Sequence, residues 1–125
     1  MLKFRCLLVV GLGLSLVGPA QAANPYDGTW SMSFETTHED LDGILVVKDD
    51  GGTWRVDAKS AKSPCVGRES PIVVKKATGA ELVFEVQRSK GLASCKDWTV
   101  AVKRVDAKTL KGEFADHRPI TLLRQ

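Results

Sequence analysis

The chain has 125 residues, 43% of them hydrophobic and 26% charged, with a formal net charge of +3 at pH 7. That length bounds one folded domain with an adequate core. Both signs of charge are mixed along the sequence, which speaks against nucleic acid as a partner, since phosphate binding needs a clustered basic face; no run suggests a membrane-surface helix.

Residues 1–22 read as a secretory signal peptide. Lys3 and Arg5 give the positive start, residues 6–17 the apolar core, and Ala20-Gln21-Ala22 the small-x-small site a signal peptidase accepts. The apolar run is shorter than the ~20 residues a spanning helix needs. Cys6 opens that run, whereas lipid attachment needs a cysteine after it. The expected product is therefore residues 23–125, one soluble periplasmic or secreted domain with no stable membrane insertion. Removing 22 residues from 125 leaves 103, with 16 Lys and Arg against 15 Asp and Glu.

The expected elements of the mature chain are strands. Trp30, Met32 and Phe34 alternate with Ser31, Ser33 and Glu35, the two-residue period of a half-buried strand. Residues 44–47 form a short apolar run, followed by a hairpin turn over residues 48–52, where acidic residues and glycines suit positive φ. Trp54, Val56 and Ala58 alternate with Arg55, Asp57 and Lys59. Residues 60–71 carry Pro64, Gly67 and Pro71 and read mostly as loop.

Residues 72–76 are β-branched and short, and Thr78-Gly79 turns the chain. Leu82, Phe84 and Val86 alternate with Glu81, Glu85 and Gln87, then residues 89–94 form another loop. Trp98, Val100 and Val102 give the next strand, and residues 106–108 the next turn. Residues 110–115 and 120–124 close the chain as a hairpin around Asp116-His117-Arg118-Pro119. Short helices at residues 60–63 or 90–94 are compatible with this pattern but not demanded by it. About eight strands, with turns at intervals of about 8 to 14 residues, describe an all-β fold: a small antiparallel up-and-down barrel.

Cleavage leaves two cysteines, Cys65 and Cys95, and an even count in an exported domain reads as a disulfide. A metal pair or reactive thiol has no support: there is no Cys-x-x-Cys spacing and no histidine near either residue in sequence. Gly28-Thr29-Trp30 and Gly52-Thr53-Trp54 repeat one triplet; either a duplicated hairpin placed matched tryptophans at one end of the barrel, or common strand chemistry recurs by chance.

The opening Tyr26-Asp27-Gly28-Thr29-Trp30 resembles the Gly-x-Trp start of lipocalins and avidin-like proteins, the calycin-type barrels. The resemblance implies that Trp30 closes one barrel end and that a basic residue of the last strand, Arg124, packs across it. Lipocalins are longer, which implies shorter strands and little cavity here. Ser31 and Met32 do not reproduce the biotin contacts of avidin-like chains, so biotin is not carried over. The chain also resembles short exported proteobacterial proteins with a Cys-Lys-Asp step, here Cys95-Lys96-Asp97.

No catalytic set stands out. His38, Glu39, Asp40 and Asp42 resemble a metal patch, but donors crowded in a turn are ordinarily solvated, and ligand spacing is missing. Asp49-Asp50-Gly51-Gly52 lacks the spaced oxygens of a calcium loop. Asp116-His117 fits a hairpin turn better than an acid–base pair. Ser63 or Ser94 with His38 or His117 lacks a nucleophile elbow, and Glu81 and Glu85 lie on the outward face of one strand.

The expectation is a non-enzymatic, monomeric binding protein with no cofactor and no metal. In the first reading an apolar or amphipathic small molecule enters the open barrel end. The candidate contacts are Trp54, Trp98, Phe84 and Phe34, within an inward set that also holds Trp30, Met32 and Phe114; the same residues equally suit a filled core. In the second reading a periplasmic or extracellular protein, such as an enzyme to be inhibited, meets the loop that Cys65 fixes, through Arg68 and Glu69. A hydrolase is the weakest reading.

Overall fold

The computed structural model describes residues 24–37, 39–57 and 63–125. The signal peptide, His38, Ala58 and Lys59 of the expected strand and the 60–62 part of the expected loop lie outside the described residues. Among the described residues there are eight strands, β1 (Gly28–Glu35), β2 (Asp40–Lys48), β3 (Gly51–Val56), β4 (Ser70–Ala77), β5 (Glu81–Val86), β6 (Trp98–Asp106), β7 (Thr109–Phe114) and β8 (Pro119–Arg124). Each pairs antiparallel with the next, and β8 returns to β1, so the sheet is a closed barrel with no free edge.

Alternation decides which side chains fill it. Along β1 the buried positions are Trp30, Met32 and Phe34; along β5 they are Leu82, Phe84 and Val86. Leu45, Val100, Val102, Leu110, Ile120 and Leu122 complete a core whose members are almost fully buried. Burial of this kind stabilises by about 1.5–3 kcal/mol per large apolar side chain. The large hydrophobics left exposed are Ile44, Val105 and Leu123. No helix among the described residues is long and apolar enough to cross a membrane.

Several boundaries differ from the sequence expectation. The hairpin between β2 and β3 turns on Asp49 and Asp50 alone, with Asp49 in the left-handed region (φ 56°). Gly52 belongs to β3: its φ is 138°, and a Cβ there would stand 1.9 Å from the Val46 carbonyl oxygen, so only glycine fits this close pairing. Asp40 and Asp42 lie on β2, not in a turn, because pairing with β1 continues to Glu35↔Asp40. Ser70 and Pro71 open β4 although proline cannot donate to a ladder; β3 and β4 pair only at Thr53↔Pro71 and Trp54↔Ser70. The helical turn after β5 is a 3₁₀ turn over Arg88–Lys90, earlier than expected.

The two Gly-Thr-Trp triplets share one cross-strand row, Gly28↔Val47↔Gly52, and both glycines have φ near 135°. Their tryptophans part company, however. Trp54 joins the aromatic cluster of Phe34, Phe84, Trp98 and Phe114, whereas Trp30 packs at the other end beneath Arg124.

Candidate functional site

The barrel has two unlike ends. At one, residues 24–27 lie across the opening. Tyr26 is fully buried and its hydroxyl donates to the Thr78 carbonyl at 2.5 Å. Trp30 Nε1 donates to the Tyr26 carbonyl at 2.9 Å. Arg124, directly across from Trp30 in the β1–β8 register, lies 4.2 Å from that ring centroid. Its guanidinium donates to the carbonyls of Asp27 (2.7 Å) and Pro25 (3.0 Å). Asn24 Nδ2 donates to the Asp49 carbonyl and Asp27 Oδ1 accepts from the Asp49 amide, which fastens the strap to the β2–β3 turn. This end is closed.

The other end is formed by the β1–β2, β3–β4, β5–β6 and β7–β8 connections. Cys65 in the β3–β4 connection is bonded to Cys95 in the β5–β6 connection, with Cα atoms 5.7 Å apart. The aromatic cluster lies at the same end. Trp98 meets Phe34, Trp54 and Phe114 edge to face at centroid distances of 6.2, 6.2 and 5.4 Å. Such contacts add about 0.5–1.5 kcal/mol per pair to the area buried.

The four aromatic ligand candidates therefore come together but differ in access. Phe34, Trp54 and Phe84 are buried to within a few per cent and pack on one another, while Trp98 at the start of β6 is half-buried. Arg68 and Glu69 are both exposed in the β3–β4 connection, where Arg68 Nε donates to the Pro64 carbonyl at 3.1 Å.

Two arginines absent from the sequence-based candidates cover Trp98. The Arg88 guanidinium carbon stands 3.7 Å from the Trp98 ring centroid. That of Arg118 stands 5.3 Å from Trp98 and 4.5 Å from Phe114. Both continue an inward alternation: Arg88 follows Leu82, Phe84 and Val86, and Arg118 precedes Ile120 and Leu122. The same parity puts Arg124 over Trp30 and Arg104 within 5.2 Å of the Tyr26 ring. Each end of the barrel is thus topped by arginine stems over aromatic faces. The signal in sequence was the two-residue period running one step past the apolar residues into a charge.

The charged neighbours at this end are unevenly matched. Arg118 Nε donates to Asp116 at 2.8 and 3.0 Å. Arg88 is 9% exposed and makes no ion pair or side-chain hydrogen bond among the described residues. Burial lowers its pKa below the usual arginine value; Arg118 acts in the same direction and Asp97 against it. Asp97 instead accepts from the Ser89 amide at 2.9 Å, the main cause of its lowered pKa.

His38 lies outside the described residues, and His117 is not paired with Asp116. His117 lies in the exposed β7–β8 turn with φ 70°, and its Nδ1 faces Glu113 Oε1 at 3.1 Å, not Asp116. Ser63 Oγ accepts from the Cys65 amide. On the outer wall, Glu35 stands opposite Asp40 and Ser33 opposite Asp42 along a shallow groove. No group of three or more His, Cys, Asp or Glu side chains among the described residues is placed to hold a metal.

Comparison with protein-family models, with curated proteins and with solved structures finds no match. The geometry of the two ends carries the functional argument.

Proposed function

We propose that the chain is an exported, monomeric, non-catalytic binding protein that works through the loop end of a packed barrel. The observation that carries this reading is the contrast at the aromatic cluster: Trp98 is half-buried, whereas Phe34, Trp54, Phe84 and Phe114 are buried against one another. Trp98 is then the contact residue and the other three ligand candidates are its support. The eight-stranded closed barrel is compatible with a calycin-type fold, and the Trp30–Arg124 stack supports a lipocalin-like reading of the closed end. The signal-peptide pattern and the Cys65–Cys95 bridge support an oxidising periplasmic or extracellular setting.

The test is native mass spectrometry of protein recovered from the export compartment without denaturation, wild type beside Trp98→Ala and Trp54→Ala. A reproducible added mass that Trp98→Ala loses, with its fold intact, supports small-molecule binding at the loop end. An added mass that survives Trp98→Ala and is lost only in Trp54→Ala overturns it in favour of the interior.

A second reading, docking of a partner protein, draws on the bridge that ties the β3–β4 and β5–β6 connections together beside the exposed Arg68 and Glu69. A rigid presented loop loses little entropy on binding. It predicts a co-purifying protein that Arg68→Ala or Glu69→Ala releases.

A further inference from the structure

The four arginines at the barrel ends are not equivalent. Arg124 has two carbonyl acceptors, and Arg118 has the Asp116 carboxylate. Arg104 is exposed, so water serves it. Arg88 alone of the four is nine-tenths buried, and no acceptor among the described residues meets its guanidinium. A cation so placed keeps only limited contact with water, and no carbonyl or carboxylate among the described residues makes up for what burial removes. Asp97 attracts Arg88 through space but makes no ion pair or hydrogen bond with it, and accepts from the Ser89 amide instead.

The unmatched groups are nevertheless within reach. No side-chain nitrogen or oxygen among the described residues is both cut off from solvent and without a partner. The Arg88 N–H groups have no partner among the described residues, so they keep contact with solvent. They do so beside a second cation, since Arg88 and Arg118 lie over the same indole. The β5–β6 connection adds Lys90 and Lys96. Next to this charge lies the part of the half-buried Trp98 side chain that the two guanidinium groups leave uncovered.

We propose that Arg88 is the receptor for the oxyanion of an amphipathic organic acid whose apolar body rests on Trp98. This deepens the loop-end reading and rests on it. The planar fork of a guanidinium matches a carboxylate or phosphoryl group through two parallel hydrogen bonds, and it acts most strongly where water is scarce. The Arg88 stem is already held by its stacking on Trp98, so little side-chain freedom remains to be lost on binding. Arg118 contributes field and, by releasing Asp116, a second donor.

The probes are benzoate and phenyl phosphate, with benzyl alcohol as the neutral counterpart and sodium chloride as the ionic control. The readout is the two-dimensional NMR spectrum of the bridged protein, followed at the Trp98 indole N–H, the Arg88 Nε–H and the Trp30 indole N–H. The expected result is saturable shifts at Trp98 and Arg88 with either oxyanion, none at Trp30, and at least tenfold weaker binding of benzyl alcohol. Arg88→Met, which keeps an apolar stem on the ring, should weaken benzoate at least tenfold. Arg88→Lys, which keeps the charge and loses the fork, should fall between.

Benzoate binding that survives Arg88→Met unchanged overturns the proposal. So does benzyl alcohol binding as tightly as benzoate at Trp98, an outcome that leaves the loop-end reading standing. Shifts that sodium chloride reproduces, or no shift with either oxyanion at millimolar concentration, also overturn it. The loop-end reading is then judged by the native mass comparison of wild type with Trp98→Ala.

Discussion

Removing the Cys65–Cys95 bridge should open the barrel along the seam between β3 and β4 before it loosens any other pair of strands. That seam is held by two register pairs, Thr53↔Pro71 and Trp54↔Ser70, whereas β1 and β2 are paired from Gly28↔Val47 to Glu35↔Asp40. Pro71 has no amide hydrogen to give to the ladder. The bridge joins the connection that follows β3 to the one that precedes β6, so it acts across the weak seam.

Chain-entropy reasoning for a sequence separation of 30 gives a stabilisation of about 3–4 kcal/mol. At about 4–8 °C per kcal/mol for a domain near 100 residues, the melting temperature should fall by roughly 15–30 °C. The assay is thermal circular dichroism of the oxidised protein against Cys65→Ala/Cys95→Ala, with hydrogen exchange on both. Exchange should rise first at the Val74 amide, which donates to the Asp50 carbonyl across the seam. An unchanged melting temperature, or loss of protection first at β1 and β2, would refute the reasoning.

Other changes should act at named contacts. Arg124→Leu removes the stack on Trp30 and two hydrogen bonds to the strap, and should cost about 2–4 kcal/mol in denaturant unfolding. Tyr26→Phe loses only the hydroxyl bond to Thr78 and should cost about 1 kcal/mol by the same measurement. Glu35→Lys turns a like-charge cross-strand pair with Asp40 into an attractive one; it should stabilise by about 0.2–1 kcal/mol at low salt, with the gain shrinking as salt is added. Asp106 has a lowered pKa, first because it accepts from the Lys108 amide. Its contribution is present above the unfolded carboxylate value near ~4 and is lost as pH falls through the lower folded value. Stability measured from pH 5 downward should fall less steeply in Asp106→Asn than in wild type.

Much of the fold was legible because alternation is local. Trp30-Met32-Phe34 and Leu82-Phe84-Val86 declare their inward side without reference to the rest of the chain. The errors came where pairing overrides composition. Asp40 and Asp42 resemble turn residues, yet β1 offers a full ladder opposite them, and the outward positions they occupy tolerate charge. Pro71 reads as a loop residue, yet the sparse seam can hold it while its carbonyl accepts from the Gln87 amide. The candidate site is half visible in the sequence: Trp98 declares itself by its place in an inward row, whereas Arg88 does not, because a charge following an apolar strand reads as its end.

The sequence by itself determined the strands, their inward faces and the one cysteine pairing open to residues 23–125, since period, turn chemistry and cysteine count need no distant information. Only the tertiary structure decided that β8 meets β1, that residues 24–27 close one end, and which arginine is left without an acceptor. Those outcomes depend on how side chains from strands far apart in sequence share one interior and its two ends. Arg124 reaches carbonyls nearly a hundred residues away, and Arg88, with the same chemistry on the opposite end, reaches none among the described residues.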